Sequence, residues 1–497
     1  MIARWVDGPN GPVVVRETSD PIPLIEPEGW DRRVYRWYGD VLGILVLAYL
    51  FLDRGIAHFH LPKTPAFIGE MTLALGVLAI LCGTQWLRRA FSGDILLTVL
   101  IAFMAWGLVR TLPNMHLFGI QVTIRDAALW YYAGFAVALV AAATAQADLV
   151  PRWIRGFRRV VPWLTIWLPI ALLLERSGVT GPKFRYSSVP LLSHKPGNIC
   201  CAAVICLAFL LLVPPVGDSE DVRRRPRSPQ RSLRIFLIGV NLFTMLLGAT
   251  QTRGGAVAEL IGAVVILALM ERTRRSRVIV TLAAGLFVIV GIGLVTGAQY
   301  HTQKRTISIS QLFSNAGSLS GEDGGNSQLN GSVSFRFDLW DTILDKQDRT
   351  SHLVDGFGFG PNLARTGGLN PRPNQPATLQ LRSAHNSWLD IFGRMGIIGM
   401  LLFLIVWIGW FRRMGKAHKR GNDDELRGVI GVCLSGSLAI LVNCFFDPTL
   451  EGAQVAAVLY TLFALGIVAA RRSFPEPRED AGPAALALPA PIGPVGT

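Results

Sequence analysis

Between Ser383 and Asp390 the chain reads SAHNSWLD, and an apolar run follows at once. Nothing about membrane topology asks for a histidine at the mouth of such a run. An imidazole with a pKa of about 6.5 can be neutral at physiological pH and take a proton from a hydroxyl. The plainer reading of His385 is a residue that caps a helix or braces a loop. Ser387 and Asp390 have capping-box spacing, which sets His385 on the loop side of a helix N-terminus. Arg253, in QTRGGAVAEL, is the second candidate. The two glycines that follow it allow close approach to the backbone, and free amides at a helix start favour an anion. Its alternative is an arginine that snorkels to lipid headgroups. Arg185, Lys195, Arg336 and Arg382 are further cations between apolar runs. Guanidinium forks suit phosphate oxygens, so together these residues point to a phosphate or diphosphate lipid headgroup.

Other motifs exclude chemistry. No H-x₃-H or HExxH spacing occurs, and the six cysteines lie in apolar runs without a CxxC pair. We expect small buried thiols, no disulfide and no metal site. GFGFGPN at 356–362 follows no Rossmann strand and lacks a Walker lysine, so it is expected to make a tight turn, not a nucleotide site.

These residues need elements to hold them. The chain has 497 residues, 51% hydrophobic and 16% charged, with a mean hydropathy of +0.40. Soluble domains carry about 25% charged residues. Apolar runs at 35–53, 67–87, 94–112, 126–146, 157–175, 197–213, 233–250, 254–271, 277–297, 390–411, 427–446 and 452–470 suggest an all-α, polytopic membrane bundle of about twelve transmembrane helices. Arginine clusters fall in alternate connections, which by the positive-inside rule places both termini in the cytoplasm. The net charge of +14 is therefore read as topology and contact with anionic membrane lipids, with no nucleic acid partner. Residues 1–33 lack the apolar core of a signal peptide and form a cytoplasmic segment. Helices one to nine occupy 34–297, a periplasmic loop 298–389, and the last three helices 390–472. The Pro/Ala-rich tail, 473–497, is expected to be disordered. Within the loop, 306–332 is expected to be mobile. Residues 333–345 are expected to form an amphipathic helix with Phe337, Trp340 and Leu344 on one face and Arg336 beside Trp340.

The order of motifs resembles the O-antigen ligase and polymerase superfamily. An Arg336–Trp340 helix precedes Gly356, Gly358 and Gly360. AHNSWL (384–389) then leads into GIIG (396–399), and TRGG (252–255) and KPGN (195–198) lie upstream. The resemblance spans roughly residues 180–460. It implies a metal-independent, cofactor-free membrane glycosyltransferase of the GT-C type in the bacterial inner membrane, acting at the periplasmic face. The donor would be a glycan on undecaprenyl diphosphate. The acceptor would be the lipid A–core oligosaccharide for a ligase, or another lipid-linked glycan for a polymerase. On this resemblance His385 is the general base, and Arg253 and Arg336 bind the departing diphosphate. Arg185, Lys195, Asn198, Arg382, Asn386 and Trp340 are expected substrate contacts, with Arg185 and Lys195 competing for one role. From another class, the alternative is a transporter of lipid-linked sugars. Against it, the sequence shows no paired broken helices and no buried acidic relay.

Overall fold

The computed structural model describes residues 2–8, 11–17, 29–61, 66–179, 181–183, 187, 189–215, 229–280, 299–301, 306–308, 327–366 and 382–473. Arg185, most of the expected ninth span, most of 306–332 and the tail beyond Ser473 lie outside these residues. Among the described residues, eight helices are long and apolar enough to cross a membrane, or nine if one bent pair counts as a single span. The protein is a multi-pass helical membrane protein.

Helix α1 (Trp30–Leu52) is followed by α2 (Ile68–Cys82) and α3 (Thr84–Phe91), which bend by 93° at Gly83 where one span was expected. Next come α4 (Ile95–Phe118), α5 (Gly134–Ala145), α6 (Leu149–Arg176), α7 (Pro196–Leu212), α8 (Pro229–Ala249) and α9 (Arg253–Leu269). The loop helix α10 (Ser327–Arg349) precedes α11 (Ser387–Arg420), α12 (Asp424–Phe446) and α13 (Ala453–Ser473). Two short antiparallel pairs depart from the all-α expectation: Ile2–Gly8 with Gly11–Glu17, and Gln299–His301 with Thr306–Ser308. The first has a local cause, since Val13, Val14 and Val15 are β-branched and glycines flank the turn.

Helices α12 and α13 form the centre, with 78% and 94% of their apolar windows buried. Lipid offers no hydrophobic drive between helices, so close packing of small residues must hold them. Gly428 abuts the Leu212 backbone, and Gly436 abuts Ile205 and Leu462. Trp410 of α11 stacks on Phe463 at 5.7 Å and donates its indole N–H to the Phe463 carbonyl at 3.0 Å. Five cysteines are buried as expected, but Cys82 is exposed. The acidic side chain of Glu259 is buried in α9, a departure from the expectation of no buried acidic group among the spans.

The glycine-rich segment does more than turn. Helix α11 breaks at Gly396, whose φ is +66°. Into this break dock residues 353–358: Phe357 and Gly358 donate to the Gly393 and Arg394 carbonyls at 2.8 and 2.9 Å, while Ile397 donates to Leu353 at 3.0 Å. Gly356 and Gly358 have φ of +75° and +74°. A β-carbon at Gly356 would overlap the Arg394 backbone. From α4, Arg110 donates to the Gly356 carbonyl at 2.7 Å and pairs with Asp355 at 2.9 Å.

The buried face of α10 also differs from expectation. Leu339, Ile343 and Gln347 are fully buried, whereas Phe337 and Leu344 are 60% and 40% exposed. The helix forms, but the inner position goes to the aliphatic stripe, which packs with Leu363 and Ala384, and not to the expected face.

Candidate active site

The C-terminal end of α12 is a hub for Arg336, Lys195 and the start of α9. The last carbonyls of a helix lack intrahelical partners and carry the negative end of its dipole. Arg336 satisfies one of them, donating from Nη1 to the Phe446 carbonyl at 3.0 Å. Asp447, the C-cap residue, takes the Lys195 ammonium on both carboxylate oxygens at 3.0 Å. The Ser387 hydroxyl donates to the Asp447 carbonyl at 3.2 Å and accepts the Leu450 amide at 3.2 Å. Gly254 packs on the Phe446 side chain, which sets Arg253, the first residue of α9, beside the same hub. Thr252 caps that helix by accepting the Gly255 amide at 3.4 Å.

His385 lies next to this cluster, two residues before Ser387, which bonds to Asp447. It is half-buried, and the charges acting on its ring are those of Arg336, Asp447 and Lys195. Burial, then the Arg336 cation, push its pKa below the ordinary histidine value, while Asp447 opposes the shift. Its backbone is held at φ +55°, a left-handed conformation uncommon for a residue with a side chain. The preceding residue is gripped on both sides. The Trp340 indole donates to the Ala384 carbonyl at 2.7 Å, and the Asp390 carboxylate accepts the Ala384 amide at 2.7 Å.

Several expected roles change. The N-cap of α11 is Asn386, not Ser387. Its Oδ1 accepts the Trp388 and Leu389 amides at 2.9 and 3.2 Å, and so is spent on the cap. Asp390 reaches back to Ala384, and Ser387 turns to Asp447, so the expected capping box does not form. Arg382 faces away into a structural cluster, donating to Asp126 at 2.9 Å and to the Gly360 carbonyl at 2.7 Å. Asp126 also pairs with the fully buried Arg394 at 3.2 Å. A buried carboxylate recruits cations wherever they lie in the chain, because its desolvation is otherwise uncompensated. Asn198 donates to Asp53 at 2.8 Å, and Asp53 also accepts the Lys195 amide at 2.7 Å. Burial raises the Asp53 pKa, and these two bonds only partly oppose the shift. Asn198 therefore braces Lys195. The His194 Nε2 lies 2.9 Å from the Phe51 carbonyl, and its backbone amide donates to the Glu175 carboxylate at 3.3 Å. Asp447, Asp390 and Asp53 escaped the sequence reading as site residues. The one visible hint was Asp447 in FFDP at the end of a span.

Fold and site together define a multi-pass membrane protein with a histidine and several cations collected at helix ends. Residues 238–404, about a third of the chain, match the family model described as O-antigen ligase. No curated protein matches the chain.

Proposed function

We propose that the protein is a membrane glycosyltransferase of the O-antigen ligase type, transferring a glycan from undecaprenyl diphosphate to a hydroxyl of the lipid A–core oligosaccharide. The observation that carries this reading is the gathering of Arg336, Lys195 and the α9 N-terminus on Phe446–Asp447, with His385 next to them. His385, whose pKa is lowered by burial and then by Arg336, takes the proton of the acceptor hydroxyl. The oxygen attacks the anomeric carbon, the bond to the diphosphate oxygen breaks on the opposite face, and configuration inverts. Arg253 and Arg336 stabilise the negative charge that grows on the departing diphosphate, as preorganised cations do. Lys195, already paired with Asp447, completes the cationic rim. Transfer occurs at the periplasmic face of the inner membrane, with both termini cytoplasmic.

The same donor chemistry serves a polymerase that extends lipid-linked repeats, and the family match accommodates both. Lipopolysaccharide gels of a deletion strain separate them. Bare core with accumulated lipid-linked polymer is the ligase outcome, and core bearing single repeats is the polymerase outcome. Normal lipopolysaccharide and normal exopolysaccharide in that strain would remove both readings.

A further inference from the structure

Away from the hub, an apolar groove of about 390 Å³ runs between α1, α6, α7, α12 and α13. Gly43, Leu47, Phe157, Phe209, Val432 and Leu462 are among its walls, and it opens sideways past Ile44, which is 69% exposed. An apolar space of this size is not filled by water, which needs polar partners. Its space is built in rather than collapsed: Gly156 lines it, and a β-carbon there meets nothing within 4 Å.

The polar end of the groove is formed by Asp40 and Arg152. Arg152 Nη1 pairs with Asp40 at 3.5 Å, and its Nε lies 3.8 Å from Asp148. Its Nη2 is buried without a hydrogen-bond partner. Arg155 and Arg159 follow at i+3 and i+7, so all three arginines share one face of α6, and the latter two are exposed. An apolar slot ending in a buried guanidinium N–H and two exposed cations has the polarity of a lipid with a negative headgroup.

We propose that this groove binds one acyl chain of an anionic glycerophospholipid, with a phosphodiester oxygen accepting from Arg152 Nη2 and the headgroup lying along Arg155 and Arg159. Arg152, Arg155 and Arg159 outnumber the carboxylates of Asp40 and Asp148 at the mouth, so that the net charge offered to the lipid is positive. The site does not depend on the glycosyl-transfer reading.

The test uses the full-length protein in a mild detergent, with equimolar phosphatidylglycerol and phosphatidylcholine of matched chains, and bound lipid read by native mass spectrometry. We expect phosphatidylglycerol to be retained over phosphatidylcholine by about fivefold or more, the preference worth one arginine at an anionic surface. Arg152→Gln should lower that ratio several-fold, and Gly156→Phe, which fills the slot, should remove the bound lipid. Equal retention of the two lipids by the wild-type protein overturns the proposal. So does unchanged lipid in a folded Gly156→Phe protein, or displacement by that variant of an isoprenoid lipid in place of a glycerophospholipid. Should Gly156→Phe not accumulate, the wild-type ratio and Arg152→Gln decide the question by themselves.

Discussion

The Asp390 carboxylate accepts the amide of Ala384, six residues back, at 2.7 Å. With the Trp340 indole on the Ala384 carbonyl, this bond fixes the peptide unit that delivers His385 to the hub. Asp390→Ala leaves a buried amide without an acceptor, a loss of about 1–3 kcal/mol in stability. Its kcat should fall while KM for the donor changes little, because the imidazole is misplaced and the cations are not. Asp390→Asn retains an oxygen acceptor and should recover most of kcat; Trp340→Phe should behave like the alanine variant in milder form. Equal kcat for the alanine and asparagine variants would exclude a positioning role.

Loss of the His385 side chain should cost about 10²- to 10⁴-fold in transfer, the range for a general base. The pH profile gives a sharper check. A base works deprotonated, and the His385 pKa is lowered, so the acid limb of kcat/KM should lie below the ordinary histidine value. Arg336→Gln removes a cation that lowers it, and the limb should move up in pH. Asp447→Asn removes the opposing carboxylate and uncovers Lys195, and the limb should move down. An acid limb that stays in place in both variants would take His385 out of the base role.

Arginine forks and point charges differ at the diphosphate. Arg253→Lys should retain more activity than Arg253→Ala, since charge survives in lysine and the fork does not. Arg336→Lys should fall between wild type and Arg336→Gln for the same reason. Initial rates with a purified lipid-linked donor would show the order; indistinguishable lysine and alanine variants at Arg253 would argue for a headgroup anchor instead.

Gly356→Ala should destabilise the protein more than any surface substitution. The left-handed backbone alone costs about 1–3 kcal/mol for a residue with a β-carbon, and the added methyl would overlap Arg394. Because residues 353–358 dock into the break of α11, thermal unfolding in detergent should drop, with activity lost in parallel.

Asp126→Ala strands two guanidinium groups, one of them fully buried on Arg394. Removing one member of a buried ion pair typically costs about 3–5 kcal/mol. Arg382→Gln should cost less, because Arg394 still neutralises Asp126. If Arg382→Gln instead leaves stability intact and abolishes donor use, Arg382 belongs with the substrate contacts and not with the scaffold.

Much of the scaffold could be read from local pattern. Hydropathy over a single turn-rich window is a property of neighbouring residues, so the apolar helices, the Arg253 helix start and the loop helix around Arg336 and Trp340 were all visible in the chain. His385, Arg253 and Arg336 stood out because charge at the edge of an apolar run is costly and therefore informative. Which face of α10 turns inward was not visible, since Phe337 and Leu339 are equally apolar and only the shape of the surface beneath them chooses. The partners of the charges were decided by tertiary structure alone. Lys195 finds Asp447 252 positions away, and Arg382 finds Asp126 across 256. A buried carboxylate binds the cation that packing brings within reach, and chain order carries no record of that distance.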